Sequence, residues 1–99
     1  MNQKNLLNAI GNTPIIKLNK IVPVDAAEVW IKLEGLNPTG SYKDRLAMSI
    51  LQNALNRGDI QTGQRVVEYT GGSTGTSLAF VSAILGLEFT AVFSNAFAK

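Results

Sequence analysis

The stretch "RVVEYTGGSTGTSLAFVSAILGLEFTAVF", residues 65–93, constrains the fold more than any other part of the chain. Two short runs rich in β-branched and aromatic residues, Arg65–Tyr69 and Phe89–Phe93, predict strands on either side of a helix from about Thr74 to Leu85. A strand, a helix and a strand in this order close as a crossover between parallel strands. The sequence therefore predicts an α/β fold built on a parallel sheet.

The first half of the chain adds two strands and one helix. Ile15–Leu18 and Val29–Leu33 have the composition of short strands, and a helix is predicted from about Ser41 to Arg57. One crossover pairs only two parallel strands, and a parallel sheet needs cover on both faces. We therefore expect the sheet to be incomplete within this chain.

Composition narrows the possible chemistry. The 99 residues include no cysteine and no histidine, which excludes disulfides, thiolate or imidazole metal ligands, cysteine nucleophiles and histidine-based triads within them. The formal net charge is +2 and is spread along the chain, and only 7% of the residues are aromatic. This pattern is not that of a nucleic-acid binder. We expect no metal site and no nucleic-acid partner.

The chain also lacks the usual signals for a membrane or for export. The opening "MNQKNLLNAIGNTP" has no long apolar core of the kind found in secretory signals. The longest apolar run, Leu78–Leu87, is about half of the roughly 20 residues that span a bilayer. The absence of cysteine is compatible with a reducing compartment. We expect a cytoplasmic protein with no membrane contact.

Lys43 has an unusual position on the helix predicted for residues 41–57. Ser41 and Asp44 are spaced as a capping box at its start, and Gly58 is placed as its stop. At about 100° per residue, Lys43 shares a face with the apolar residues Leu46, Ala47, Ile50, Leu51 and Ala54. The solvated face holds Arg45, Ser49, Gln52 and Asn56. Burial and the positive helix end both disfavour a protonated amine, so a nucleophilic lysine is one interpretation. The other is that Lys43 extends into solvent.

The loop Thr70–Thr74 joins the strand before it to the helix that follows. Its glycines allow a close approach to the backbone, and free N–H groups at the positive end of a helix suit a carboxylate or a phosphate. The spacing matches neither a Walker A loop nor a dinucleotide-binding fingerprint. Two interpretations stay open: an anion site, or a tight turn that only caps the helix.

Three segments together resemble one family. "GNTPIIKL", "KLEGLNPTGSYKDR" and "EYTGGSTGTSLA" are similar to the opening segment, the cofactor-lysine motif and the substrate-carboxylate loop of fold type II pyridoxal-phosphate enzymes related to tryptophan synthase β. The cysteine synthase branch is the most similar, and the resemblance covers nearly the whole chain. It implies a two-domain fold of αβα layers with a mainly parallel sheet. Residues 1–34 would belong to the larger domain and residues 35–99 to the first half of the smaller one.

The resemblance also implies roles for individual residues. Lys43 would form the internal aldimine with pyridoxal 5'-phosphate and move a proton at the substrate Cα. The loop that binds the amino-acid carboxylate would consist of Thr70, Gly71, Gly72, Ser73 and Thr74. Ser73 stands where the family usually has an asparagine that contacts the cofactor ring oxygen, and Gly71 stands where cysteine synthases have a serine. The full-length protein is expected to be a homodimer that acts on a small amino-acid substrate.

The leading hypothesis is the N-terminal part of a pyridoxal-phosphate enzyme that carries out β-replacement on an O-activated serine, with cysteine synthesis as the reaction. Thr39, in "PTGS", is also seen in threonine synthases, so a threonine synthase-like or dehydratase-like enzyme is one alternative. A non-catalytic truncated fragment and a phosphate- or nucleotide-binding module are two others. The resemblance places the residues around the cofactor phosphate and pyridine nitrogen beyond Lys99. We therefore expect the 99 residues alone to be inactive.

Overall fold

The elements of the computed structural model, which describes residues 5–97, follow the predicted order. The strands and helices are β1 (Ile15–Lys17), β2 (Trp30–Lys32), α1 (Lys43–Arg57), β3 (Arg65–Tyr69), α2 (Ser73–Leu85) and β4 (Glu88–Val92). Short 3-10 helices occupy Leu6–Ala9, Glu34–Leu36 and Asn95–Phe97. Every predicted strand and helix is present, with its ends displaced by at most two residues.

The described strands form two separate pairs. β3 and β4 are parallel, in a register that runs from Arg65 opposite Glu88 to Tyr69 opposite Val92. β1 and β2 are antiparallel and pair with each other alone. α2 connects the two parallel strands, so the predicted α/β class and the predicted crossover are confirmed.

Both helices end at a glycine, and the stop predicted at Gly58 is confirmed. Gly58 and Gly86 have φ of +79° and +74°, in the left-handed region that favours glycine. The Gly58 N–H donates to the carbonyls of Ala54 and Leu55, which closes the last turn of α1.

The start of α1 differs from the prediction. Ser41 Oγ accepts from the Lys43 N–H at 3.0 Å, and the Asp44 carboxylate accepts from the Thr39 N–H at 2.8 Å. The predicted capping box between Ser41 and Asp44 is therefore wrong. The reason is that Thr39 lies within reach of the Asp44 carboxylate and offers it both an N–H and a hydroxyl.

The core lies between α1, α2 and the first 3-10 helix. Its buried apolar residues are Leu7, Ile10, Ala47, Leu51, Leu78, Val81 and Leu87. Leu7 and Ile10 thus share one core with residues of α1 and α2, although the predicted domain division places them in the other domain. That division, between residues 34 and 35, stays a prediction.

No helix within residues 5–97 is long and apolar enough to span a bilayer.

The parallel strands leave large apolar side chains in contact with solvent. Val67 and Tyr69 on β3 are 56% and 64% exposed, and Val92 and Phe93 are 46% and 51% exposed. Val67, Tyr69 and Val92 lie on one face of the strand pair, because Tyr69 is opposite Val92 and side chains alternate along a strand, and there they form an open apolar surface.

This surface predicts the behaviour of residues 1–99 expressed alone. Exposed strand edges and apolar patches promote association, so we expect concentration-dependent self-association in gel filtration with light scattering. Dilution and mild urea should shift the elution toward a monomer. A monodisperse monomer at concentrations of tens of micromolar and above would contradict this expectation.

Candidate active site

Lys43 is the first residue of α1 and is half-buried. Its Nζ lies 4.9 Å from the centre of the Tyr42 ring, within the range of a cation–π contact. Among the described residues, no carboxylate lies within ion-pairing distance of this amine. The amine is therefore held by an exposed aromatic ring rather than by a counter-ion.

The buried face of α1 coincides only in part with the one that the sequence pattern indicated. It consists of Asp44, Ala47 and Leu51, whereas Leu46 and Ile50 are 38% and 54% exposed. Lys43 lies beside the buried face and not at its centre, so that part of the prediction is wrong. The physical reason is that α2 packs against the side of α1 that holds Asp44, where Ala47 is small enough for a close approach.

Asp44 joins the two helices and was not predicted to do so. Its carboxylate is fully buried and accepts hydrogen bonds from the Thr39 hydroxyl at 2.5 Å and from the Ser77 hydroxyl at 2.6 Å. Ser77 is also fully buried and lies on α2. Asp44 was identified only as a capping residue, because its partner on α2 is distant in sequence.

The loop that opens α2 is held from inside by Thr70. The Thr70 N–H donates to the Val92 carbonyl at 2.9 Å, which fixes the loop to the end of β4. Thr70 Oγ1 accepts from the Gly75 N–H at 3.0 Å, so this side chain caps α2 from within the loop. A Cβ on Gly75 would lie 2.7 Å from Thr70 Cγ2, too close for any larger residue without a shift of the loop. The importance of Gly75 was missed, because the sequence shows only one more glycine in a glycine-rich turn.

The outer side of the same loop is open. Gly71, Gly72 and Ser73 are exposed and Thr74 is half-buried. Gly72 is the N-cap of α2 and offers no side chain, and the cap from Thr70 occupies only the Gly75 N–H, so the N–H groups of Ser73 and Thr74 have no acceptor within the described residues. Within the described residues, the hydroxyls of Ser73 and Thr74 make no hydrogen bond. The loop therefore presents unused hydrogen-bond donors at the positive end of a helix.

A cavity of about 510 Å³ lies beside this loop. Its lining residues are Thr70, Gly71, Gly72, Gly75, Thr76, Ala79, Phe89, Ala91 and Phe93. The volume is in the range of small-molecule sites. Lys43 is not among the lining residues, so the structure does not bring the lysine and the loop to one cavity within the described residues.

A second polar cluster links the first two sequence motifs. Arg45 binds the Glu34 carboxylate through Nε at 2.5 Å and Nη2 at 3.1 Å, and the buried Thr13 hydroxyl donates to the same carboxylate. The Gly11 N–H donates to Asn37 Oδ1 at 2.8 Å. The hydrogen bond from Arg45 and, to a lesser extent, the one from Thr13 lower the pKa of Glu34 from 4.5 to about 2. The segment "GNTP", uninformative by itself, is thus tied to the lysine-bearing helix.

The family follows from comparison with known sequences. Residues 6–98 match the family described as pyridoxal-phosphate dependent enzyme, and the chain belongs to that family. It is 47% identical over 81 residues to cysteine synthase B of Salmonella typhimurium, an alignment that covers 82% of this chain and 27% of the relative. It is 46% identical over 90 residues to a cysteine synthase of Staphylococcus aureus, covering 91% and 28%. The chain thus spans little more than a quarter of the length of these relatives.

Solved structures confirm the fold. The chain superimposes on O-ureido-L-serine synthase with a TM-score of 0.84 at 40% identity, covering 94% of this chain and 29% of that one. It superimposes on an O-acetylserine dependent cystathionine beta-synthase from Helicobacter pylori with a TM-score of 0.84 at 32% identity, covering 100% and 33%. The predicted fold type II class and its cysteine synthase branch are confirmed.

The family implies pyridoxal phosphate as the cofactor, and the residues of this chain fit part of that group. A cofactor aldehyde needs an amine that is not locked in an ion pair, and Lys43 provides one. Anionic and polar oxygens need N–H and hydroxyl donors, and the outer side of the loop at Ser73 and Thr74 provides them. The two donor groups therefore suit the aldehyde of pyridoxal phosphate and a separate anionic group.

The Glu34 cluster predicts a pH dependence of stability. The folded-state pKa of Glu34 lies below its ordinary value of 4.5, so its contribution to stability is complete above pH 4.5 and is lost as the pH falls toward 2. We expect Glu34→Gln to lower the denaturation midpoint of the full-length protein at pH 7 and to flatten the decline between pH 4.5 and pH 2.

Glu68→Gln is the matched control, since it removes an exposed carboxylate on β3 that makes no hydrogen bond within the described residues. It should leave the acid-induced decline of the denaturation midpoint unchanged. A Glu34→Gln variant with the same acid-induced decline as the parent would show that this carboxylate does not control the transition.

Proposed function

We propose that the full-length protein is a pyridoxal-phosphate enzyme that replaces the β-substituent of an O-activated serine, with formation of cysteine as the reaction. The observation that carries the proposal is that an amine without a counter-ion, at Lys43, and free hydrogen-bond donors, at Ser73 and Thr74, lie at the starts of two helices that pack on each other. The cysteine synthase relatives support the reaction class. A homodimer in the cytoplasm is part of the same proposal.

Lys43 has two tasks in this proposal. Its amine would hold the cofactor at the carbonyl carbon, and the free amine would accept the proton from the substrate Cα. Bound pyridoxal phosphate withdraws electrons from that carbon and so makes the proton removable. The Tyr42 ring holds the amine at the start of α1.

The loop Thr70–Thr74 binds the substrate carboxylate. The N–H groups of Ser73 and Thr74 and the Thr74 hydroxyl are free to donate to it, and charge-assisted hydrogen bonds of this kind are the strong ones. Ser73, exposed at the start of α2, is placed to contribute its hydroxyl to the carboxylate or to the cofactor ring oxygen. Thr70 has a different task, because its oxygen already accepts from Gly75 and keeps the loop in shape.

The first test concerns the lysine. We expect borohydride reduction of the cofactor-loaded full-length protein, followed by peptide mapping, to find the pyridoxyl group on Lys43. Lys43→Ala should abolish both the label and the visible absorbance of the bound cofactor. Lys20→Ala, in the exposed connection between β1 and β2, is the control and should change neither. A label on Lys32 or on another lysine would refute the assignment.

The second test concerns the carboxylate. Loss of one hydrogen bond to a charged group corresponds to roughly a 10- to 100-fold weaker interaction, so we expect Thr74→Val to raise KM for the amino acid by about that factor. The amount of bound cofactor should stay the same. Thr90→Val, on the exposed strand β4, is the control. An unchanged KM with loss of bound cofactor would reverse the proposed roles.

A further inference from the structure

We infer that Asp44 is a positioning residue that sets Lys43 in place relative to the carboxylate-binding loop, by tying the first turn of α1 to α2. The inference rests on the proposed function of Lys43 and of the loop. Asp44 itself is fully buried.

The Asp44 carboxylate accepts three hydrogen bonds. Asp44 Oδ2 accepts from the Thr39 N–H at 2.8 Å, and Oδ1 accepts from the hydroxyls of Thr39 and Ser77. Among the described residues, no cation lies within ion-pairing distance. Removal of the carboxylate would leave these three donors without this acceptor, which is costly above all for the fully buried Ser77 hydroxyl. The arrangement of all three groups therefore depends on Asp44.

The donors to Asp44 lie next to the two segments proposed to be functional. Thr39 lies in the turn that leads into Lys43, and Ser77 lies one turn of α2 beyond Ser73 and Thr74. Thr39 Oγ1 and Ser77 Oγ are themselves only 3.4 Å apart. One side chain therefore holds both the backbone that carries the amine and the helix that begins with the loop. A shift of either one is transmitted to the other through Asp44.

Asparagine separates this positioning role from an effect of the negative charge. The amide oxygen of Asp44→Asn can accept from the Thr39 N–H, and the amide NH₂ can donate to the two hydroxyls, because each hydroxyl can reverse its direction. Asp44→Asn thus removes the negative charge and keeps the hydrogen bonds to Thr39 and Ser77. Asp44→Ala removes both.

The experiment uses the full-length protein with pyridoxal phosphate and measures three quantities. With the cofactor bound, these are the fraction of Lys43 trapped by borohydride and the kinetic constants kcat and KM for the amino acid. Without the cofactor, the third quantity is the rate of amide hydrogen exchange at the start of α1 and in the loop Thr70–Thr74. We expect Asp44→Ala to lower kcat by roughly 100-fold, the cost of a misplaced reactive group, and to reduce trapping. It should also accelerate exchange in both segments together. Asp44→Asn should retain trapping and kcat within about threefold, and Ser77→Ala should lie between the two.

Leu51→Ala is the control, because it weakens the core further along α1 without touching the first turn. It should lower the thermal midpoint and leave trapping, KM and the exchange of the two segments unchanged. Asp44→Asn as damaging as Asp44→Ala would overturn the inference in favour of a charge effect. Asp44→Ala that behaves like Leu51→Ala would overturn it in favour of a merely structural role. If the parent protein is labelled on another lysine, the proposed function fails, while coupled exchange in the absence of cofactor still decides whether Asp44 links the two segments.

Discussion

The close packing of α1 on α2 is the contact on which the rest of the described structure depends. Ala47 and Val81 are fully buried in it, and so is the hydrogen bond between Asp44 and Ser77. Small side chains let the helices approach closely, and the polar pair fixes one helix along the other because a buried hydrogen bond tolerates little displacement. Since both candidate functional segments lie at the N-terminal ends of these helices, this single contact determines where each of them is placed.

Three consecutive side chains in the first turn of α1 point in three different directions. Residues on a helix follow one another at about 100°, so Lys43, Asp44 and Arg45 face different neighbours. Lys43 lies over an exposed ring, Asp44 contacts α2, and Arg45 binds the carboxylate of Glu34. The segment "KDR" therefore connects one open side to two buried or half-buried clusters. An alteration at any of the three positions affects a different part of the molecule.

Local sequence signals predicted the elements well, and long-range contacts less well. Runs of β-branched and aromatic residues, helical periodicity and the stop at Gly58 placed every strand and helix, because these signals act between neighbouring residues. Periodicity identified an apolar stripe on α1, but it could not show that α2 covers only one side of it and leaves Ile50 exposed. The partner of Asp44 lies 33 residues away, and such a pair leaves no trace in a single sequence.

The loop before α2 shows why two interpretations of a glycine-rich turn need not exclude each other. A helix start has several N–H groups without intrahelical acceptors, and a capping side chain normally occupies one of them from the N-cap position. Here the N-cap is Gly72, and the cap comes from Thr70, which reaches past it to the Gly75 N–H. This route requires the absence of a side chain at Gly75, where a Cβ would meet Thr70. The helix is therefore capped from inside the loop, and the donors at Ser73 and Thr74 stay available on its outer side for an anionic group.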